Sequence, residues 1–149
     1  MALAFDEAKK GMRLGEGGPF GAVIVKEGKV VAKGHNEVLS LNDPTAHAEM
    51  QVIRKASATL KQFHLKGCTL YATGEPCPMC FAAIHWAYID KVVYCMTKRE
   101  ASEIGFNDTL ITKIMEGHVK DSIPFVHQPN SAGQELYSAW SENLEKISY

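Results

Sequence analysis

Hydrophobic positions along this chain alternate between the spacing of amphipathic helices and the short apolar runs of buried strands. Glycine and proline separate these segments, and the Glu27-Gly28 pair marks a tight hairpin turn. The predicted elements are a helix over 3–14, strands over 20–26 and 29–34, a helix over 44–60, a strand over 68–73, a helix over 75–88 and a strand over 91–95. This alternation predicts an α/β fold with sites at strand ends and helix starts.

Beyond Met96 the pattern is looser. Short helices are predicted over 97–103 and 109–115. Residues 122–126 are typical of an edge strand, because Pro124 lacks the N–H that a central strand needs. Residues 133–147 have the apolar spacing of an amphipathic helix. At this length we expect one domain, 1–149, around one core.

Composition and charge narrow the functional classes. The chain is 46% hydrophobic and 22% charged, which is ordinary for a globular protein. Its net charge is −1, and it has no basic stripe of the kind that binds polynucleotides. No apolar run approaches the length of a membrane span, and Met1–Glu7 has no basic leader. Four cysteines are too few for a disulfide scaffold, which predicts a reducing, cytoplasmic setting.

The stretch from Glu75 to Cys80, E-P-C-P-M-C, has the strongest chemical signal. Two prolines this close predict a helix start near Glu75, with Pro76 at the first helical position. The i, i+3 spacing then places Cys77 and Cys80 on one side of the helix. Because the positive helix end favours thiolates, this pair is suited to be half of a zinc site.

A second helix start, from Asp43 to Glu49, supplies the other half. Asp43 is a candidate cap, and Pro44 fits the first helical position. His47 offers an imidazole, and one imidazole with two thiolates balances the charge of Zn²⁺ and leaves a fourth position open for water. Glu49 follows at i+2, off the face of His47, so we expect it to carry protons rather than bind metal.

The alternative interpretation is a structural zinc site or a pair of thiols without metal. A structural site normally has four protein ligands, and Cys68 and His85 are the nearby candidates for a fourth. Cys68 and Cys95 lie in predicted strands and fit inert buried thiols. His85 is also a candidate for contact near the site, while Glu75 is a candidate helix cap or substrate contact.

Together, the H-x-E and P-C-x-x-C segments resemble the cytidine deaminase-like superfamily, whose zinc deaminases have this signature. The resemblance to the small bacterial guanine deaminases is closer and runs nearly end to end. Trp86, the 106–108 turn and Tyr149 resemble the guanine-specific branch. The matching segments are Gly18–Lys26, Asn42–Glu49, Glu75–Cys80, Ala83–Ala87 and Gly105–Asp108.

This resemblance implies a three-layer α-β-α cytidine deaminase-like fold with a five-stranded mixed sheet, one Zn²⁺ per chain and a homodimer. It implies that the C-terminal helix, residues 133–149, crosses to the partner and helps close its active site. It also implies zinc binding by His47, Cys77 and Cys80, and proton transfer by Glu49. The positions that match purine contacts are Phe20, Asn36, Ala48, Trp86, Asp108 and Tyr149.

The implied activity is the hydrolysis of guanine, a small purine base, to xanthine and ammonia. Asn36 offers both a donor and an acceptor to an amide-like purine edge, and Asp108 is an acceptor for ring N–H groups. Phe20 and Trp86 are candidates to sandwich the base by stacking.

Three other functions stay open. They are deamination of another amino-heterocycle such as an aminotriazine or cytosine, adenosine editing in transfer RNA, and a non-catalytic zinc protein. The charge balance gives little support to a transfer-RNA substrate. Glu49 beside His47 argues against a purely structural site, which has no use for a proton carrier.

Overall fold

Four strands form one mixed sheet in the computed structural model, which describes residues 1–147. The strands are β1 (Gly21–Lys26), β2 (Lys29–His35), β3 (Cys68–Gly74) and β4 (Lys91–Met96). They lie in the order β2-β1-β3-β4. β1 pairs antiparallel with β2 and β3, whereas β3 and β4 are parallel.

Helices cover both faces of this sheet. The helices in the described part are α1 (Ala2–Leu14), α2 (Val38–Leu41), α3 (Ala48–Leu60), α4 (Pro78–Trp86), α5 (Lys98–Glu103), α6 (Thr109–Met115) and α7 (Ser131–Glu142). Gly21 lies against α1, where an added Cβ would be 2.1 Å from the carbonyl oxygen of Ala4. Gly34 pairs with the residue after Gly21, so it lies on the opposite face of the sheet, against Val52 of α3.

The hydrophobic core lies entirely within the first two thirds of the chain. Its largest fully buried side chains include Ile24, Val52, Leu65 and Leu70. Burying one such side chain contributes about 1.5–3 kcal/mol, so this cluster holds the sheet and its helices in a fixed arrangement. Because the ends of these elements form the functional site, the core also fixes the geometry of that site.

The predicted fifth strand is absent from the described residues, which contribute four strands to the sheet. Residues 122–126 are irregular and pair with no strand there. The carboxylate of Asp121 accepts from the N–H of Ile123 at 2.8 Å, which closes a local turn in place of an extended start. Pro124 then removes one further ladder donor.

The last predicted helix is also shorter than the apolar spacing indicates. α7 ends at Glu142, because Asn143 has the extended backbone angles φ −67° and ψ 110°. Residues 143–147 are not helical. Ser148 and Tyr149 lie outside the described residues, so the expected contact of Tyr149 with the purine stays a prediction.

The last third of the described chain packs differently from the rest. Helices α5, α6 and α7 have no buried residue in the described structure. Large apolar side chains are exposed there, including Phe125 at 84% and Tyr137 at 79%. No helix within residues 1–147 is both long and apolar enough to span a membrane.

Candidate metal centre and active site

Strand ends and helix starts meet at one edge of the sheet, as the alternating pattern predicts. Parallel β3 and β4 both end there, and the N–H of Glu75 donates to the carbonyl of Met96 at 2.7 Å. β1 begins at the same edge because it runs antiparallel to β3. The N–H of Gly21 donates to Thr73 Oγ1 at 3.1 Å, which joins these two strands.

Both ligand-bearing helices begin later than the sequence predicts. Helix α3 begins at Ala48 with His47 as its N-cap, and α4 begins at Pro78 with Cys77 as its N-cap. The first helical proline of α4 is thus Pro78 rather than Pro76. As N-caps, His47 and Cys77 have extended backbone, with ψ of 155° and 169°. They therefore lie just outside the two helices instead of within their first turns.

The late start of α3 has a local cause. Asp43 does not cap this helix, because its carboxylate accepts from the N–H and the hydroxyl of Thr45, at 2.8 and 2.7 Å. This Asx turn holds residues 43–45 in a separate bend. Asp43 therefore forms a turn before the helix, and His47 is the N-cap of α3.

The three predicted ligands come together. His47 Nδ1 lies 3.5 Å from Cys77 Sγ and 3.6 Å from Cys80 Sγ, and all three atoms lie within 4.8 Å of one another. Bonds of about 2.1 Å to nitrogen and about 2.3 Å to sulfur would separate the two ligand types in a tetrahedral zinc site by about 3.6 Å. The donor set therefore fits one zinc ion.

Neither candidate for a fourth ligand belongs to this group. Cys68 is buried in β3, and His85 is an exposed residue of α4 whose ring lies 4.4 Å from that of Phe81. Among the described residues, the cluster thus consists of one histidine and two cysteines. Three protein ligands are typical of catalytic zinc sites, whereas four are typical of structural ones.

Hydrogen bonds set the charge of the thiol pair. The bond from Cys80, followed by the bond with His47, lowers the pKa of Cys77 to about 4 against the opposing effect of burial. The pKa of Cys80 is raised, chiefly because its proton is held in the bond to Cys77 and because the group is buried. Cys77 could therefore attract a cation as a thiolate, and binding of zinc by both sulfurs would require Cys80 to lose its proton as well.

Glu49 lies in the first turn of α3 and is 7% exposed. Burial raises the pKa of its carboxyl group, because the charged form loses hydration. Glu49 is not part of the ligand cluster, but it lines the same cavity as His47 and Cys77. A raised pKa brings this group closer to the working range of a general acid–base catalyst.

A cavity of about 760 Å³ lies in front of the metal ligands. Small-molecule sites typically measure about 300–1,000 Å³, so its size suits a ligand such as a heterocyclic base. Three of the residues predicted to contact a purine, Phe20, Asn36 and Asp108, line this cavity. Ala48 and Trp86 are not among its lining side chains.

The aromatic wall of the cavity differs from the predicted pair of Phe20 and Trp86. Trp86 is at the end of α4 and is 68% exposed, so the chain does not bring it to the cavity. Phe106 lies there instead, edge-on to Phe20 with ring centroids 4.8 Å apart. A Cβ at Gly18 would be 2.6 Å from the Phe106 ring, so a side chain there would have to displace that ring.

Asn36 is more constrained than its chemistry alone indicates. Its side-chain oxygen accepts from the N–H groups of Gly18 at 3.4 Å and Val38 at 3.2 Å. In the described structure this oxygen already has two backbone donors, and the contact of both ends of the amide with a purine stays a prediction. The amide nitrogen is the donor that remains for a ligand.

Sequence reasoning missed the roles of Phe106 and Lys98 in lining the cavity. Lys98 Nζ lies 4.0 Å from the Asp108 carboxylate. The backbone N–H of Lys98 donates to the carboxylate of Glu75 at 3.0 Å. Glu75 thus binds the start of α5 and not the start of its own helix. A usable signal was the Thr97-x-x-Glu100 capping box, which places a helix start directly after β4.

Comparison with known proteins agrees with this geometry. Residues 1–96 match the family described as the cytidine and deoxycytidylate deaminase zinc-binding region. The chain is 43% identical to guanine deaminase of Bacillus subtilis (strain 168) over 143 residues, which cover 95% of this chain and 92% of that protein. It is 37% identical to a tRNA-specific adenosine deaminase of Aquifex aeolicus, over 97% of this chain and 93% of that one.

The fold agrees as well. The X-ray structure of guanine deaminase from Bacillus subtilis superposes with a TM-score of 0.94 at 42% identity, covering 99% of this chain and 95% of the other. Domain match, fold and metal-ligand geometry thus lead to one assignment: the chain belongs to the zinc-binding cytidine and deoxycytidylate deaminase family of hydrolytic deaminases.

Proposed function

We propose that the protein hydrolyses guanine to xanthine and ammonia. The observation that carries this proposal is the similarity to a guanine deaminase over nearly the whole chain, in sequence and in fold. The similarity includes the last third, which lies outside the zinc-binding region and supplies Phe106 and Asp108 to the cavity.

The charges of the cavity support a neutral base rather than a polynucleotide. Its described lining includes the carboxyl groups of Glu49, Glu75 and Asp108. Lys98 also lines it, and its ammonium lies beside Asp108. A phosphate backbone would be repelled by this excess of acidic groups, whereas guanine offers several N–H donors to them. Adenosine editing in transfer RNA is the second candidate, because of the similarity to the Aquifex protein.

In this proposal His47, Cys77 and Cys80 hold one zinc ion. When bound, zinc lowers the pKa of a coordinated water from about 16 towards about 7, which makes hydrolysis feasible near neutral pH. The carboxylate of Glu49 accepts a proton from the attacking water and delivers it to a ring nitrogen of guanine. Glu49 then takes the second proton of that water from the hydroxyl group now on the ring carbon and passes it to the amine. The carbon–nitrogen bond breaks as the carbonyl forms, so that guanine and water yield xanthine and ammonia.

Side chains around the cavity hold the base in this scheme. Phe20 packs against the ring, the amide nitrogen of Asn36 donates to its carbonyl edge, and Asp108 accepts from ring N–H groups. Ala48 contributes its backbone N–H at the start of α3, where such groups lack partners within the helix. Contacts from Trp86 and Tyr149 stay predictions that depend on a second subunit or on residues outside the described range.

Ammonia release from a panel of compounds tests the proposed substrate. The zinc-loaded protein is assayed with guanine, guanosine, cytosine, adenine and the aminotriazine ammeline, and inosine formation is measured on transfer RNA. We expect turnover of guanine well above that of every other compound. Turnover of cytosine or ammeline without guanine would overturn the substrate assignment and keep the chemistry, while inosine in transfer RNA would establish the second candidate.

We also propose that the protein is a homodimer in which the C-terminal segment, residues 133–149, is exchanged. The apolar side chains of the last third supply the support, since their own subunit leaves them exposed. Trp140 and Leu136, both on α7, are 51% and 66% exposed. Exposed apolar patches of this size mark interaction sites, and a second copy of the chain offers the same uncovered surface.

A complementation experiment tests the exchange. A chain that lacks residues 131–149 is co-produced with full-length Glu49→Gln, whose own site is inactive. If the C-terminal segment crosses between subunits, the segment of the Glu49→Gln chain covers the site of the shortened chain, which still contains Glu49. We therefore expect the mixed dimer to regain activity. Each chain alone is the control. A wild-type protein that sediments as a monomer, or a mixed dimer without activity, would contradict the exchange.

A further inference from the structure

A buried histidine behind the cavity is held between two carboxylates. His35, the last residue of β2, is 4% exposed. Its Nδ1 lies 3.1 Å from Glu7 of α1, and its Nε2 lies 2.5 Å from Glu16 in the loop after α1. Each ring nitrogen of His35 thus makes its own contact with one carboxylate. His35 therefore ties three separate segments of the chain together.

Charged side chains lie on both sides of His35. A carboxylate oxygen of Glu37 lies within 4.8 Å of a carboxylate oxygen of Glu16 and a ring nitrogen of His35. Glu37 itself forms an ion pair with Lys55 at 3.6 Å. On the other side Lys33 pairs with Glu7 at 3.2 Å. Burial opposes ionisation of Glu7, but the bonds from His35 and Lys33 outweigh it and lower the pKa of that carboxyl.

Glu16 connects this charge cluster to the cavity. Its carbonyl oxygen accepts from the N–H groups of Leu39 and Ser40, at 3.0 and 3.2 Å. The next residue, Gly17, lies so close to Asn36 that an added Cβ would be 2.1 Å from the Asn36 side-chain oxygen. Fixing Glu16 therefore fixes the backbone on both sides of Asn36, including the groups that bind its side-chain oxygen.

We propose that His35 is a positioning residue, which through its bond to Glu16 holds the 16–18 loop and Asn36 in the geometry that binds the base. This inference rests on the proposed function of the cavity and adds a residue that contacts neither substrate nor metal. Its contact with Glu7 anchors β2 to α1, which is a structural role. The contact with Glu16 shapes the binding site.

Two conservative substitutions separate these contacts. Asparagine reaches as far as Nδ1, so His35→Asn keeps a donor for Glu7 and loses the one for Glu16. Glutamine reaches as far as Nε2, so His35→Gln keeps the donor for Glu16 and loses the one for Glu7. A hydrogen bond to a charged group is worth about tenfold or more in an equilibrium, so we expect His35→Asn to raise KM for guanine by about tenfold and His35→Gln by much less. We expect kcat to change less than KM in both.

Amide hydrogen exchange gives a readout that does not depend on the substrate. We expect Leu39 and Ser40 to exchange faster in His35→Asn than in His35→Gln, because their acceptor belongs to Glu16. Glu16→Ala removes the same contact from its other end. It is expected to raise KM as His35→Asn does, and the double variant to be no worse than either single one.

Lys33→Met is the matched control, since it removes the other partner of Glu7 from an exposed position on the same strand. We expect it to leave KM and the exchange at Leu39 and Ser40 unchanged. Equal KM in His35→Asn and His35→Gln, or an unchanged KM in Glu16→Ala, would overturn the proposal. If the wild-type protein released no ammonia from guanine, the proposed function would fail, and exchange alone would decide the role of His35.

Discussion

Replacing Glu49 by glutamine is expected to lower turnover of guanine by about a thousandfold or more, within the range of general acid–base contributions. Glutamine has the size of glutamate but cannot accept and return a proton at neutral pH. Because Glu49 lies outside the ligand cluster, zinc stays bound. The measurements are ammonia release in the steady state and the metal content of the purified variant.

The same substitution has a second, independent consequence for stability. Burial raises the pKa of Glu49 above its ordinary value of 4.5, so folding at neutral pH includes the cost of holding a charge in a poorly hydrated place. Below pH 4.5 the carboxyl is protonated in both states and the cost is absent. We therefore expect metal-free Glu49→Gln to unfold at a temperature no lower than the metal-free wild type at pH 7, with a difference that shrinks in acid.

Glu103→Gln is the matched control for charge removal. Glu103 is exposed on α5, where its pair with Arg99 is a surface contact of little energetic value. We expect this variant to keep both activity and stability. Near-normal ammonia release from zinc-loaded Glu49→Gln would show that another group moves the protons.

The metal site could be predicted because its information is local. Two cysteines three residues apart, next to prolines, fix their own geometry at a helix start, and His47 lies at another. Helix starts after strands collect at one sheet edge, so the sequence also indicates that the two halves meet. For the same reason Glu49 could be placed beside the ligands but not among them.

The differences come from hydrogen bonds that only the folded loops form, some of them between residues two positions apart. Asp43 could be seen as a cap, but its preference for Thr45 depends on a turn that only the folded loop selects. The sequence predicts that both polar ends of the Asn36 amide suit a purine, because it does not show that the N–H groups of Gly18 and Val38 donate to the amide oxygen. Trp86 has no local signal that distinguishes a residue lining the cavity of its own chain from an exposed residue at a helix end, and its contact with the purine stays a prediction.

The last third of the chain marks a different limit. Its apolar spacing is strong enough to predict helices, and α6 agrees with the predicted bounds. Spacing alone cannot say whether the apolar face packs on its own subunit or on a partner. The described residues leave that face exposed, and this exposure is the observation that supports the proposed dimer.

Replacing Cys80 by alanine is expected to remove zinc and activity together. Cys80 is fully buried in α4, and its sulfur is one of three atoms placed to hold the ion. One histidine and one thiolate make a much weaker zinc site. Without the ion, the pKa of the attacking water rises from about 7 towards that of bulk water. We expect zinc well below one ion per chain, with ammonia release lowered by about a thousandfold or more.

Two other cysteines provide matched controls for this result. Cys95→Ser changes a thiol that is exposed, so the prediction that it is buried is wrong. Cys68→Ala removes a thiol from β3 that is buried as predicted and lies outside the ligand cluster. Cys68→Ala is expected to lower the unfolding temperature because it leaves a small cavity, but both variants should keep one zinc per chain and normal turnover. Cys80→Ala with full zinc content, or zinc-free protein at wild-type activity, would show that hydrolysis does not depend on these three ligands.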